Sequence, residues 1–141
     1  ENLTAVYGQH ERGMSNSDVK GLLTRTSPDL SFFPRGIENF FPNLEVFAID
    51  YSNITVLHGD ELNPFVNLTW FGMYASPLER ISGNLFDATP LMNTNRFISN
   101  NIKYVGAELY SNLPNLVFLD FFLQLLCSST RFKLYGNSII N

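Results

Sequence analysis

The sequence has a single cysteine, Cys127, which excludes a disulfide within the chain. A lone cysteine is commonly a small buried hydrophobe, and the alternative is a disulfide to a cysteine outside this segment. Charged residues are also few, at 16% of the chain, and its nine Lys and Arg residues are scattered under a net charge of −4. Nucleic-acid binding needs clustered Lys and Arg, so the composition argues against a nucleic-acid partner.

Long apolar runs and catalytic motifs are missing as well. The longest apolar run, residues 116–127, is interrupted by Asp120 and Gln124. It is shorter than the roughly 20 residues that a membrane span needs, so we expect no span. His10 and His58 have no second His or Cys at metal-ligand spacing, and no nucleophile or phosphate-loop motif is present. The sequence therefore predicts a chain that is not an enzyme, with no catalytic residue, no cofactor and no metal.

Aromatic residues, in contrast, are plentiful, and they recur with a fixed spacing. The chain has 13 Phe and 6 Tyr, more large apolar groups than a small domain usually hides. When residues 44–126 are shifted by 24 positions, apolar residues align in columns that only Asn95 interrupts. The first three columns are Leu44, Leu68, Met92 and Leu116, then Phe47, Phe71, Asn95 and Leu119, then Ile49, Met73, Phe97 and Phe121. Such a period indicates a solenoid of stacked turns.

Each turn reads L-x-x-L-x-L-x-x-N/S-x-L, which resembles the leucine-rich-repeat family. The resemblance implies an α/β leucine-rich-repeat solenoid, a right-handed coil of ~24-residue turns. Its short parallel β-sheet is expected on the concave face, and its convex side is expected to be mostly irregular. Five strands are expected over residues 19–123, with ten inward residues buried. These are Phe47, Ile49, Ile54, Leu57, Phe71, Met73, Leu78, Ile81, Phe97 and Ile102.

Two details of the repeat carry further expectations. The position after each strand holds Ser52, Ser76, Asn100 and Gln124, where the family usually has an Asn that satisfies backbone groups in the bend. In the first turn a strict shift would bury charges, and one extra residue instead places Val19, Leu22 and Thr24 inward.

The repeats divide the chain into three parts. Residues 1–18 are expected to be an irregular edge turn or the remains of a cap, and residues 128–141 an incomplete C-terminal turn. The repeats between them span residues 19–127, at about 19–43, 44–67, 68–91, 92–115 and 116–127 onward.

The amino-acid sequence of residues 8–10, 15–19 and 34–44 is similar to sequences of the secreted leucine-rich-repeat proteins of flies and midges. Those proteins are related to insect immune repeat proteins and receptor ectodomains, so the resemblance implies a secreted protein with an extracellular recognition role in innate immunity. Asn2, Asn53 and Asn67 each begin an N-x-S/T glycosylation sequon. We predict an N-glycan on at least one of them.

Residues that alternate with the inward columns should point away from the core on the concave side. The resulting candidate binding face contains Val46, Asp50, Tyr51, Trp70, Tyr74, Arg96, Ile98, Phe118 and Phe122. An aromatic and aliphatic surface of this kind is typical of an interface. We therefore predict a recognition module that binds a protein or other ligand there. The alternative is a structural protein that self-associates into dimers or filaments through the same face or through uncapped ends.

Overall fold

The computed structural model describes residues 2–121, and in them the chain is a β-solenoid of about four turns. Its strands are β1 (Gly21–Thr24), β2 (Val46–Asp50), β3 (Val56–Leu57), β4 (Trp70–Tyr74), β5 (Arg80–Ile81), β6 (Thr94–Ile98), β7 (Tyr104–Val105) and β8 (Phe118–Asp120). Two 3-10 helices, Asn16–Asp18 and Ile37–Asn39, are the only helices in this part of the chain.

The main sheet has five parallel strands in the order β1-β2-β4-β6-β8. From β2 to β8 each residue pairs with the residue 24 positions later, as Phe47 does with Phe71 and Phe71 with Asn95. Between β1 and β2 the offset is 25, because Leu22 pairs with Phe47. The five-strand prediction, the repeat length and the extra residue of the first turn are all confirmed.

A second parallel sheet, of strands β3, β5 and β7, lines the return side of the turns. Leu57, Ile81 and Val105 stack in register along it. The expectation of a mostly irregular return side did not include these two-residue strands, and within residues 2–121 the rest of each return has no β-strand. Strands of two residues are too short to leave an alternation in the sequence, although their inward column is apolar.

The α/β assignment is also wrong, because residues 2–121 contain no α-helix. All seven prolines lie in the return segments, outside the strands. Proline removes a backbone donor and breaks a helix interior, so these segments run as turns and 3-10 helices instead.

The core is the stack of inward columns, and all ten residues predicted to be buried are buried. A row of phenylalanines runs through successive turns. The ring centroids of Phe47 and Phe71 are 6.0 Å apart, those of Phe71 and Phe97 are 6.0 Å apart, and those of Phe97 and Phe121 are 5.4 Å apart. Each such pair contributes about 0.5–1.5 kcal/mol beyond the burial of its surface.

The polar column behind the strands forms a buried hydrogen-bond ladder. The hydroxyl oxygens of Ser52 and Ser76 lie 3.0 Å apart, and the Ser52 backbone N–H donates to Ser76 Oγ at 3.1 Å. Asn100 Oδ1 accepts from the Ser76 N–H at 3.3 Å, and Asn100 Nδ2 donates to the Met73 carbonyl at 3.0 Å. The prediction that this column satisfies backbone groups in the bend is confirmed for these three residues.

A residue with a left-handed backbone follows each of the main-sheet strands β1, β2, β4 and β6 within two positions. The four residues are Thr26, Tyr51, Ala75 and Ser99, with φ of 53°, 52°, 49° and 55°. A non-glycine residue in this region costs about 1–2 kcal/mol, and hydrogen bonds between turns offset the cost. The Tyr51 N–H donates to the Tyr74 carbonyl at 2.9 Å, and the Ala75 N–H donates to the Ile98 carbonyl at 3.0 Å.

Residues 2–15 are exposed, and their tie to the solenoid includes a hydrogen bond from the Leu3 N–H to the Arg35 carbonyl at 2.7 Å. Phe122, Gln124, Cys127 and the expected incomplete turn of residues 128–141 lie outside the described residues.

Candidate binding face

Every second side chain of the five-stranded sheet points away from the core, and we call this surface the outward face. Its members are Val46, Ala48 and Asp50 on β2, Trp70, Gly72 and Tyr74 on β4, Thr94, Arg96 and Ile98 on β6, and Phe118 and Asp120 on β8. Val46, Tyr74 and Phe118 expose 41%, 38% and 48% of their surface, which bears out their predicted orientation. Trp70, Asp50 and Ile98 are half-buried, and Arg96 is exposed.

Tyr51 and Tyr74 form an aromatic pair at the end of β2 and β4. Their ring centroids are 5.4 Å apart at an interplanar angle of 79°, an edge-to-face contact. The left-handed backbone of Tyr51 brings its side chain to this position just past the strand. The hydrogen bond with the Tyr74 side chain raises the pKa of Tyr51, so the Tyr51 phenol is neutral at physiological pH.

The ring of Trp70 covers Gly72 on the same strand. Its Cη2 and Cζ3 atoms lie 2.6 and 3.0 Å from the point that a Cβ on residue 72 would occupy. Only glycine leaves room for the indole to lie there, since any side chain would displace it. The neighbouring tryptophan therefore fills the space that a side chain on residue 72 would otherwise occupy.

A shallow cavity of about 200 Å³ opens between β2, β4 and β6. It is lined by Asp50, Trp70, Gly72, Met73, Tyr74, Arg96 and Ile98. Five of the nine predicted face residues therefore line one cavity, and Tyr51 contacts it through Tyr74. Val46 pairs with Trp70 at its margin, while Phe118 lies beyond Thr94, outside the lining.

Charges of both signs surround this cavity. Burial raises the pKa of Asp50, and the positive charge of Arg25 opposes that shift. Arg96 Nη2 donates to Asp120 Oδ2 at 3.2 Å, and its guanidinium lies 5.8 Å from the centroid of the Phe118 ring. Arg96 and Asp120 thus form an ion pair between adjacent strands. The candidate binding face predicted from the sequence did not include Arg25. The position of Arg25 next to Asp50 depends on the extra residue of the first turn.

The glycosylation candidates differ in their surroundings. Asn2 and Asn53 are exposed, and Asn67 is half-buried. Asn53 Nδ2 donates a hydrogen bond to the Pro28 carbonyl. Glycan occupancy of the three sites stays a prediction.

A second cavity, of about 280 Å³, lies on the return side and is polar. Its lining consists of Gly83, Asn84, Asp87, Ala107, Glu108, Ser111 and Asn112. Within residues 2–121, no group of three or more His, Cys, Asp or Glu side chains comes together to hold a metal ion. His10 and His58 are exposed, and His10 Nε2 lies 2.6 Å from Asn16 Oδ1.

Comparisons with known proteins add no family name. Neither a scan against protein-family models nor a search of the curated proteins finds a match to this chain. Among residues 2–121, no helix is long and apolar enough to cross a membrane.

Proposed function

We propose that this chain is a secreted recognition module that binds a protein or other ligand through the outward face of its five-stranded sheet. The observation that carries the proposal is the aromatic cavity on that face, which contains Trp70 and Tyr74. A solvated strand face usually alternates small and charged residues, whereas clustered Trp and Tyr side chains are typical of interface hot spots.

We also propose that the solenoid belongs to the leucine-rich-repeat type. The L-x-x-L-x-L strand pattern supports this, as does the inward Asn100, whose amide bonds the backbone of the previous turn. Family members of the insect secreted type act outside the cell, and the exposed sequons at Asn2 and Asn53 are consistent with that location.

Self-association is the second candidate, and one observation favours it. Val117 and Phe118 are adjacent apolar residues that expose 83% and 48% of their surface. Apolar groups at this level of exposure are a common source of contacts between copies of a chain.

A pair of tyrosine variants tests the proposed function. Tyr74 lies on the outward face, and Tyr104 is an exposed tyrosine on the second sheet, where it packs under Arg80 at 4.2 Å. We expect Tyr74→Ala to weaken binding to components of the extracellular fluid of the source by about thirtyfold, the effect of losing a hot-spot side chain. Tyr104→Ala should bind as the unmodified protein does.

Thermal melting and sedimentation velocity complete the experiment. Tyr74→Ala removes one edge-to-face pair, worth about 0.5–1.5 kcal/mol, so the variant should remain folded. Equal binding by both variants would refute the outward face as the recognition surface. A concentration-dependent assembly that Tyr74→Ala dissolves, without any ligand, would favour self-association instead.

A further inference from the structure

The floor of the outward-face cavity is an apolar surface built around Trp70. The six-membered ring of Trp70 covers Gly72, and Ile98 and Tyr74 flank it on the neighbouring positions. The face of an aromatic ring is electron-rich, so it attracts weakly polarised C–H groups that lie flat against it. A saturated ring with one C–H-rich face fits such a floor.

The rim of the same cavity offers both kinds of hydrogen-bonding group. Asp50 supplies carboxylate oxygens that accept, and Arg96 supplies guanidinium N–H groups that donate. The Tyr74 hydroxyl, next to that of Tyr51, can do either. A ligand that fits this rim carries several groups that donate and accept at once, as hydroxyl groups do.

The charge balance of the site disfavours an ion. Arg25 acts on Asp50 electrostatically, and Asp120 pairs with Arg96. A cation would meet two arginines and an anion two aspartates, and like charges nearby oppose binding. The surroundings therefore favour a ligand without net charge.

We propose that this cavity binds a single neutral sugar ring, the exposed residue of an uncharged glycan, with its C–H face on Trp70 and its hydroxyls on Asp50, Tyr74 and Arg96. The inference rests on the proposed function and names the ligand class of that site. The cavity of about 200 Å³ is smaller than the roughly 300–1,000 Å³ of ordinary ligand pockets. It holds one ring, so affinity for a monosaccharide is in the millimolar range.

The fluorescence of Trp70 is a direct probe of the proposal, because it is the only tryptophan in the chain. The ligands to titrate are the methyl glycosides of glucose, galactose, mannose and N-acetylglucosamine. We expect at least one of them to change Trp70 emission saturably at millimolar concentration. Tetramethylammonium and sulfate, as charged probes, should give no saturable change.

Two variants and one control locate the response. Asp50→Asn should weaken sugar binding about tenfold, because hydrogen bonds to a charged acceptor are stronger than those to a neutral one. Tyr74→Phe, which removes only a hydroxyl, should weaken binding about fivefold. Tyr104→Phe, on the second sheet, should leave the titration unchanged.

The proposal is overturned if no neutral sugar gives a saturable change, if a charged probe does, or if Asp50→Asn and Tyr74→Phe bind as tightly as the unmodified chain. These outcomes are distinct from failure of the proposed function. If the sugars fail while Tyr74→Ala still loses binding to an extracellular protein, the face recognises a protein. If that binding is also unaffected, the outward face itself is excluded.

Discussion

Asn95 and Asn100 are two buried asparagines on the same turn, and replacing each with leucine should change stability in opposite directions. They expose 0% and 5% of their surface. Leucine has the same number of side-chain heavy atoms and the same branch at Cγ, so the change alters polarity with little change in volume. The two substitutions are therefore matched in everything except the hydrogen bonds that they remove.

Those hydrogen bonds set the expected magnitudes. Asn95 Oδ1 is buried with no partner, and its Nδ2 donates to the Thr94 carbonyl at 2.9 Å. Asn95→Leu relieves an unsatisfied group that costs about 1–3 kcal/mol and loses one hydrogen bond worth about 0.5–1.5 kcal/mol, a net gain near 1 kcal/mol. Asn100→Leu loses the bonds to Ser76, Met73 and Ile98. Its expected cost is about 3 kcal/mol or more.

Urea denaturation followed by circular dichroism measures both variants against the unmodified chain. We expect the two free energies of unfolding to differ by about 4 kcal/mol, with the parent between them. Equal destabilisation would mean that Asn95 Oδ1 has a partner in solution, such as a buried water. If neither variant is less stable than the parent, the ladder of Ser52, Ser76 and Asn100 contributes nothing to stability. Either result would refute the reasoning.

Four further substitutions test three separate features of the molecule. Gly72→Ala puts a methyl group 2.6 Å from the present position of a Trp70 ring carbon; the indole must move, and unchanged Trp70 emission would contradict this. Burial raises the pKa of Glu61, so the parent chain loses stability as pH rises through that pKa. The Glu61→Gln variant should therefore have a higher melting temperature than the parent at neutral pH and the same melting temperature at acid pH. An equal increase at both pH values would contradict the burial effect. Ala75 has a φ of 49°, so Ala75→Gly should stabilise by up to about 1 kcal/mol. The control Ala48→Gly, within β2, should destabilise by about 0.5–1 kcal/mol. If calorimetry shows that both glycine variants change stability in the same direction, backbone strain at Ala75 is refuted.

The inward half of the structure could be predicted from the sequence because burial constrains it. A column such as Ile49, Met73 and Phe97 must stay apolar, so the spacing of these residues reports the register of the sheet. The same argument found the extra residue of the first turn, since a strict shift would have placed Lys20 and Arg25 inside.

Three features could not be predicted, each for a physical reason. The strands of the second sheet are two residues long, too short to leave a periodic pattern. The left-handed corners hold Tyr51, Ala75 and other non-glycine residues, so the usual glycine signal is absent. The position of the Trp70 ring over Gly72 depends on a side-chain rotamer, which alternation along a strand does not specify.

Side chains of the outward face, unlike those of the inward columns, do not hold the strands of the sheet in place. Strand spacing is set by the backbone hydrogen bonds of the parallel sheet, and the phenylalanine row and the Ser52–Ser76–Asn100 ladder support it from behind the face. Asp50, Tyr74 and Ile98 stand on three adjacent strands in register, so they span about 10 Å, two strand separations. Because buried contacts hold that span, a substitution on the face changes the chemistry of the cavity while the strand spacing stays the same. Loss of binding by a folded face variant can therefore be assigned to the altered side chain.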